Sequence, residues 1–185
     1  MKEALLNIMP KDKVEALLSI SQVKNLKAGE YFIRAGDVPK NFAFVLSGFF
    51  RYVYINNKGD EFTKGLIMEL DFISSYSAMI SRSPSHFFIE AMEDAVILNI
   101  PYQKWLVLQE TDVFWIKFLL KSIEKGFSKK EKRERDLLLL NAETRYLDFL
   151  KEFPGIDKRI SQAIIASYLG IKPESLSRIR KNLST

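Results

Sequence analysis

GEYFIRAGDVPKNFAFVLSGFFRYVYINNKGDEFTKGLIM, residues 29–68, decides the fold. Glycines stand at positions 29, 36, 48, 59 and 65 of it. Between them lie four short runs rich in aromatic and β-branched residues: YFI (31–33), FAFVL (42–46), FFRYVYI (49–55) and EFTKGLIM (61–68). AGDVPK, SG and NNKGD separate the runs, and each carries the glycine, proline or asparagine that a tight reversal needs. Many short strands with regular turns predict an antiparallel sandwich or barrel. Downstream, FFIEA and AVILNI (87–100) predict a further hairpin turning across Met92–Asp94.

Helical spacing flanks this block on both sides. Before it, Leu5, Ile8, Val14, Leu17 and Leu18 predict short helices interrupted at Pro10. After it, PYQKWLVLQE (101–110) reads as a short helix and a longer one begins near Asp112. Val113, Ile116, Leu120, Ile123 and Phe127 repeat with 3-4-3-4 spacing, the pattern of a coiled-coil seam. Trp115, Phe118 and Leu119 widen the apolar surface beyond one face, so the helix must bury against two things. Its own β domain and a twin helix satisfy this, making those five residues a candidate dimer interface; an ordinary buried helix of a monomer is the alternative. SKKEKRERD (128–136) holds no apolar residue and is either the exposed end of this helix or a hinge. LLLLNAETRYLDFLKEF (137–153) predicts another helix, split where Asn141 can act as an N-cap. The expected organisation is a β sensor domain with N-terminal helices over 1–111, a dimerisation helix over 112–136 and a helical domain over 137–185.

Composition narrows the function classes. The 185 residues are 47% hydrophobic and 12% aromatic, which supports a folded core. There is no cysteine, so disulfides, zinc thiolates and cysteine-bound iron–sulfur clusters are excluded. One histidine, His86, cannot build a multi-histidine metal site, and no metal site is expected. No apolar run is long enough to span a bilayer, and the acid-and-lysine-rich start differs from a secretory leader, so a cytoplasmic protein with no membrane partner is expected. Charge is asymmetric: residues 1–116 hold 12 Lys/Arg against 14 Asp/Glu, and residues 117–185 hold 16 against 9. A polyanion partner therefore belongs at the C-terminal end, unless this is only a solvated helical surface.

ASYLGIKPESLSRIRK (166–181) gives that partner an address. Ala166 is small where two helices cross closely, and Gly170 permits the left-handed turn between them. Pro173 suits the first turn of the second helix. Leu176, Ile179 and Leu183 form its inward stripe, which turns Glu174, Ser177, Arg178 and Lys181 outward, with Ser175 and Arg180 on the flanks. Arginine pairs with guanine through two hydrogen bonds and glutamate accepts from the cytosine amino group. Lys172, Arg180, Lys181 and the Ser161 hydroxyl suit phosphate oxygens. Double-stranded DNA is the expected partner; a helical hairpin with a solvated basic face is the alternative.

The order of these parts resembles the Crp/Fnr, or catabolite-activator-like, transcription regulators. GEYFIRAGDVPKNFAFVLSGFFRYVY (29–54), LDFISSY (70–76), EAMEDAVILNIP (90–101) and the tail carry the resemblance from end to end. It implies an α+β chain: an N-terminal antiparallel β-roll, a jelly roll like that of cyclic-nucleotide-binding domains, then a long dimerisation helix and a C-terminal helix-turn-helix. Too few residues follow the second helix for the β-hairpin wing of many members, so no wing is expected. A homodimer on a two-fold operator is implied, with RNA polymerase as a further candidate partner.

The resemblance also implies an effector pocket in the roll. Cyclic-nucleotide binders of the family hold the ribose with a glutamate and the phosphate with an arginine. Aligned on LDFISSY and AMED, the glutamate position is Ser75 and the Arg-Ser pair is Ser85-His86. A serine cannot supply arginine's charge-assisted grip on phosphate. The expectation is a regulator that does not respond to cAMP or cGMP and carries no cofactor, with its effector unknown. Ser74, Ser75, Tyr76, Ser85, His86 and Phe88 are candidates to line an effector site; the phenylalanines, including Phe87, equally suit filling the roll. No nucleophile elbow accompanies Ser74, Ser75 and Ser77, so no enzyme is expected. A β-roll module that binds an effector or a protein without reading DNA is the competing function.

Overall fold

The computed structural model describes residues 2–183 and falls into two compact units. The first comprises residues up to 55 together with 64–122; the second comprises 56–63 and 123 onward.

In the first unit, α1 (Lys2–Leu6) and α2 (Lys11–Ile20) precede the strands β1 (Gln22–Leu26), β2 (Tyr31–Ile33), β3 (Asn41–Ser47) and β4 (Phe50–Ile55). Next come β5 (Glu61–Ile67), whose first three residues lie in the second unit, and β6 (Phe72–Ile73). Helix α3 (Tyr76–Ser81), β7 (Phe88–Ala91), β8 (Ala95–Pro101) and α4 (Tyr102–Gln109) follow. The strands form two four-stranded sheets, ordered β1-β8-β3-β6 and β2-β7-β4-β5, with antiparallel registered pairs. The expected all-antiparallel roll is therefore present.

The alternation of strand residues explains the layering. Ala43, Val45, Phe50, Ile73, Ile89, Ala91 and Ile97 meet inside the roll. Phe42, Phe44, Leu98 and Ile100 face the other way and join Leu5, Leu17, Trp105 and Trp115 in a second core under the helices. The edge-to-face stack of Trp105 on Trp115, with centroids 5.6 Å apart, ties α4 to the start of α5 (Val113–Leu139). At that start, the Lys13 ammonium donates to Asp112, which holds the Asp112 carboxyl below its ordinary range. The Asp112 carboxylate also accepts from the Phe114 amide at 2.8 Å.

One expectation is corrected. FFIEA and AVILNI do not pair as a hairpin: β7 lies between β2 and β4, and β8 lies between β1 and β3. The link at Met92–Asp94 carries the chain from one sheet to the other, with Met92 N–H bonded to Phe49 O at 3.0 Å. Two adjacent strand-like runs look the same in sequence whether they pair or cross over. The strands β1 and β6 and helix α3 were not foreseen; β6 has two residues, too few to show a period.

Helix α5 continues through the charged tract 128–136, so that tract is helix rather than hinge. The second unit then contains α6 (Ala142–Glu152), a 3-10 turn (Ile156–Lys158), α7 (Gln162–Leu169) and α8 (Pro173–Leu183). Asn141 caps α6 as expected, its Oδ1 accepting from Thr144 N–H at 2.9 Å. Tyr146, Phe149, Phe153, Ile156, Ile165, Ala166, Leu169 and Leu176 are its buried apolar residues. No helix among the described residues is long and apolar enough to cross a membrane.

The inter-sheet crossover makes Gly48 the least replaceable of the strand-block glycines. It sits at φ +79°, and a Cβ there would meet Ala95 Cβ at 2.8 Å and Ala95 Cα at 2.9 Å. Gly48→Ala is expected to destabilise the first unit by roughly 2–4 kcal/mol, combining the left-handed penalty with the clash. Urea unfolding of the two proteins measures it; a loss under about 0.5 kcal/mol would contradict the packing described.

Candidate functional site

Two groups of sequence-predicted residues are brought together, one in each unit. In the second unit, α7 and α8 are two successive helices joined by a turn that backbone bonds close. Gly170 adopts φ +68°, ψ +35°. Its N–H bonds Ser167 O at 3.2 Å, and Ile171 N–H bonds Ala166 O at 3.0 Å. This paired closure is the Schellman arrangement, and it requires the left-handed residue that glycine provides. Pro173 then opens α8 with its fixed φ and no orphan amide, while Ser175 and Leu176 N–H reach Lys172 O.

Of the expected inward stripe of α8, Leu176 is fully buried and Ile179 half-buried, but Leu183 is 43% exposed, because it lies in the last turn of the helix. Glu174, Ser177, Arg178 and Lys181 are all exposed on the opposite face, as the spacing predicts. Lys172 is exposed just before the helix. Ser175 and Arg180 are half-buried, and the Arg180 guanidinium lies 3.9 Å from the Asp157 carboxylate. Ser161 caps α7, its Oγ accepting from Ile164 N–H at 3.4 Å, and so has a structural duty besides any phosphate contact.

Two arginines that the sequence reading passed over hold this unit in place. Arg145 Nε donates to Leu169 O at 3.1 Å and its Nη1 to Leu140 O at 2.6 Å. Arg133 Nη2 donates to Tyr168 O at 2.8 Å, with its guanidinium 4.9 Å from the Tyr168 ring centre. Both therefore neutralise carbonyls at the negative C-terminal end of α7. Burial, together with Glu152, pushes the Tyr168 phenol up to about 12. Nearby, Lys132 donates to Asp136 at 2.7 Å and holds that carboxyl below its ordinary range. In sequence these arginines are indistinguishable from other surface cations, because their partners are backbone carbonyls.

In the first unit, Ser75 and Ser85 are each only 2% exposed, and their hydroxyls lie 3.0 Å apart. Ser85 Oγ also donates to Phe87 O at 2.8 Å. Ser74 lies beside them, its N–H donating to the Tyr52 hydroxyl at 3.2 Å. Burial pushes the Tyr52 phenol up to about 12, so it stays a neutral hydrogen-bonding group. The Lys64 ammonium sits 3.9 Å from the Phe87 ring centre, with Tyr52 and Tyr54 flanking it at 5.8 and 5.6 Å. The other candidates do not join this group. Tyr76 packs into the helical core, Phe88 meets Tyr31 at 5.2 Å, and His86 is exposed. Tyr52 and Lys64 were missed, because strand residues twenty or more positions upstream carry no local mark of this neighbourhood. Among the described residues no cluster of three or more acids or histidines suits a metal.

On α5, Val113, Ile116 and Leu120 are exposed in the first unit, and Ile123 and Phe127 in the second. Phe127 is 64% exposed and Val113 61%, while Trp115 is buried.

Known proteins share this architecture. Residues 23–112 match the family model of the cyclic nucleotide-binding domain. No curated protein sequence matches the chain. CLP, the c-di-GMP responsive global regulator of Xanthomonas campestris, is 18% identical with a TM-score of 0.75, over 94% of this chain and 91% of its own. FixK2 of Bradyrhizobium japonicum is 19% identical with a TM-score of 0.76, over 89% and 85%. A protein of Eubacterium rectale assigned to the crp/fnr family of transcriptional regulators is 19% identical with a TM-score of 0.75, over 97% and 86%. At these identities the likeness is one of fold.

The arginine anchors are open to direct measurement. Arg145→Ala removes two charge-assisted bonds to helix-end carbonyls and is expected to cost about 2 kcal/mol. Chemical denaturation followed by helical circular dichroism reads this loss; an unchanged midpoint would refute the anchoring.

Proposed function

We propose that this chain is a sequence-specific DNA-binding transcriptional regulator of the Crp/Fnr type. It acts in the cytoplasm as a homodimer, needs no resident cofactor, and does not respond to cAMP or cGMP. The observation that carries the reading is the exposed row Glu174, Ser177, Arg178 and Lys181 on a helix whose entry turn is closed by backbone bonds and whose Leu176 is buried. That row supplies a two-pronged donor, an acceptor and a short hydroxyl near the front of a helix, the groups that base edges require. The structural likeness to CLP, FixK2 and the crp/fnr protein supports it. An enzyme is disfavoured because none of the described clusters pairs a nucleophile with a base.

The dimer rests on the uncovered seam of α5. Five large apolar residues at heptad spacing stay exposed, while Trp115 near the start of the same helix is buried and Phe114, Phe118 and Leu119 are half-buried. A second copy of the helix is the partner that such a seam fits, and the pair would present two recognition helices to half-sites about 34 Å apart. RNA polymerase is the natural recipient of the bound regulator's signal.

Silence toward cyclic nucleotides rests on the buried serine pair. Ser75 and Ser85 are engaged with one another and with Phe87 O, and neither side chain supplies a charge to hold a phosphate; the nearby Lys64 ammonium lies over the Phe87 ring. The CLP regulator is described as responsive to c-di-GMP, so a different effector remains compatible with the roll.

Selection of bound sites from random DNA tests the reading, and a two-fold-symmetric consensus is expected. Arg178→Ala is expected to forfeit about 1–3 kcal/mol of discrimination at its base pair while leaving the dimer intact. Wild-type affinity should fall steeply as salt rises. A chain that selects no sequence, or binds without salt dependence, favours the effector- or protein-binding module instead. Ile123→Glu with Phe127→Glu is expected to yield monomers in sedimentation; an unchanged dimer mass removes the seam.

A further inference from the structure

The second unit includes a piece of chain that its helices do not account for. Residues 56–63 run from the end of β4 into the start of β5 and belong to this unit. Their turn is rigid: Asn56 Oδ1 accepts from the Lys58 and Asp60 amides, each at 2.9 Å, and Asn56 N–H donates to Asp60 O at 3.1 Å. Beyond the turn, β5 is the last strand of its sheet, so one side of its backbone has no neighbouring strand.

Helical side chains fill that vacant edge. Thr63 N–H donates to Ser167 Oγ at 2.8 Å, and Ser167 Oγ donates to Glu61 O at 3.1 Å. In an extended strand the groups of residues 61 and 63 point to the same side. One hydroxyl thus takes both bonds that a neighbouring strand would have supplied. The Thr63 carbonyl, on that same edge, accepts from Arg133 Nη2 at 3.2 Å. The same nitrogen holds Tyr168 O. Thr63 is 2% exposed, so the bond from its amide is partly shielded from water, whereas the Ser167–Glu61 bond is exposed. Ser167 therefore does not turn its hydroxyl back onto its own helix, the usual habit of a serine inside a helix.

We propose that Ser167 and Arg133 are positioning residues of the recognition unit. Through the 56–63 segment they clasp α7 from the side and fix the angle at which α8 is presented. This rests on the reading of α8 as the DNA-recognition helix. The clasp leaves Glu174, Ser177, Arg178 and Lys181 exposed, so it does not occlude the reading face. Its effect on binding is therefore pre-organisation, which strengthens association by sparing the cost of ordering α7 and α8 on the DNA. Sequence preference stays with the side chains of α8.

The test uses the full chain with Ser167→Ala, Ser167→Thr and Arg133→Gln. Amide hydrogen exchange at Thr63 reports the clasp, and affinity for the selected DNA site reports positioning. Ser167→Ala is expected to speed Thr63 exchange on the order of tenfold and to weaken site binding about fivefold, with the consensus unchanged. Arg133→Gln should weaken binding in the same sense, and Ser167→Thr, which keeps a hydroxyl, should restore both readouts. Unchanged exchange at Thr63 in Ser167→Ala shows that there is no clasp. Faster exchange with unaltered affinity makes it a purely structural contact, and tighter DNA binding makes it a restraint; either result overturns the positioning role. A wild-type chain that selects no DNA overturns the recognition reading and the positioning role with it, while Thr63 exchange still decides whether the clasp exists.

Discussion

The C-terminal end of α7 is where the second unit is decided. A helix leaves its last carbonyls without partners, and an end packed against other elements must find donors for them. Here Gly170 and Ile171 amides close back onto Ser167 and Ala166, Arg133 takes Tyr168 O, and Arg145 takes Leu169 O. The turn, the departure angle of α8 and the burial of Leu176 all follow from that closure. A side chain at Gly170 would be strained by its positive φ and would also crowd Leu137 Cδ2 at 3.1 Å. The exposed polar face of α8 is thus oriented by groups on other elements.

The roll obeys a different constraint, that of filling. Its interior is lined by Phe50, Ile73, Ile89 and Ile97 with small Ala43 and Ala91 between them, large and small side chains together. Most buried polar groups there find partners, the Asn99 amide oxygen being an exception. Ser75, Ser85, Phe87 O and the Tyr52–Ser74 bond form such a set at one end of the roll. The buried Arg51–Glu90 pair, with Nη2 to Oε2 at 2.6 Å, is another, placed directly across β4 and β7.

Periodicity made most of this readable in advance. The runs at 31–33, 42–46, 49–55 and 61–68 all became strands, and the five heptad residues of α5 are all exposed. Most tail residues divided as their spacing required, with Leu176 inward and Glu174, Ser177, Arg178 and Lys181 outward, but Leu183, expected inward, is exposed. Pairing was less legible: β7 and β8 adjoin in sequence yet belong to different sheets, because a three-residue link can reverse a strand or carry it across the roll. The candidate effector residues were legible only in part. Ser75 and Ser85 meet, but neighbouring positions on a helix start or strand point elsewhere, which sends Tyr76 to the helical core and Phe88 to Tyr31.

The sequence alone determined the local features: strands from alternation, helix ends from Asn141, Ser161, Gly170 and Pro173, and the polar face of α8 from the helical repeat. These depend on a residue and its near neighbours in the chain, and so can be read from spacing. Tertiary structure alone decided the partners of Arg133, Arg145 and Ser167, the company of Lys64, and the seat of residues 56–63. Each of these joins groups well separated along the chain, or satisfies a backbone atom that every residue possesses, and neither leaves a mark in the identity of the amino acids nearby.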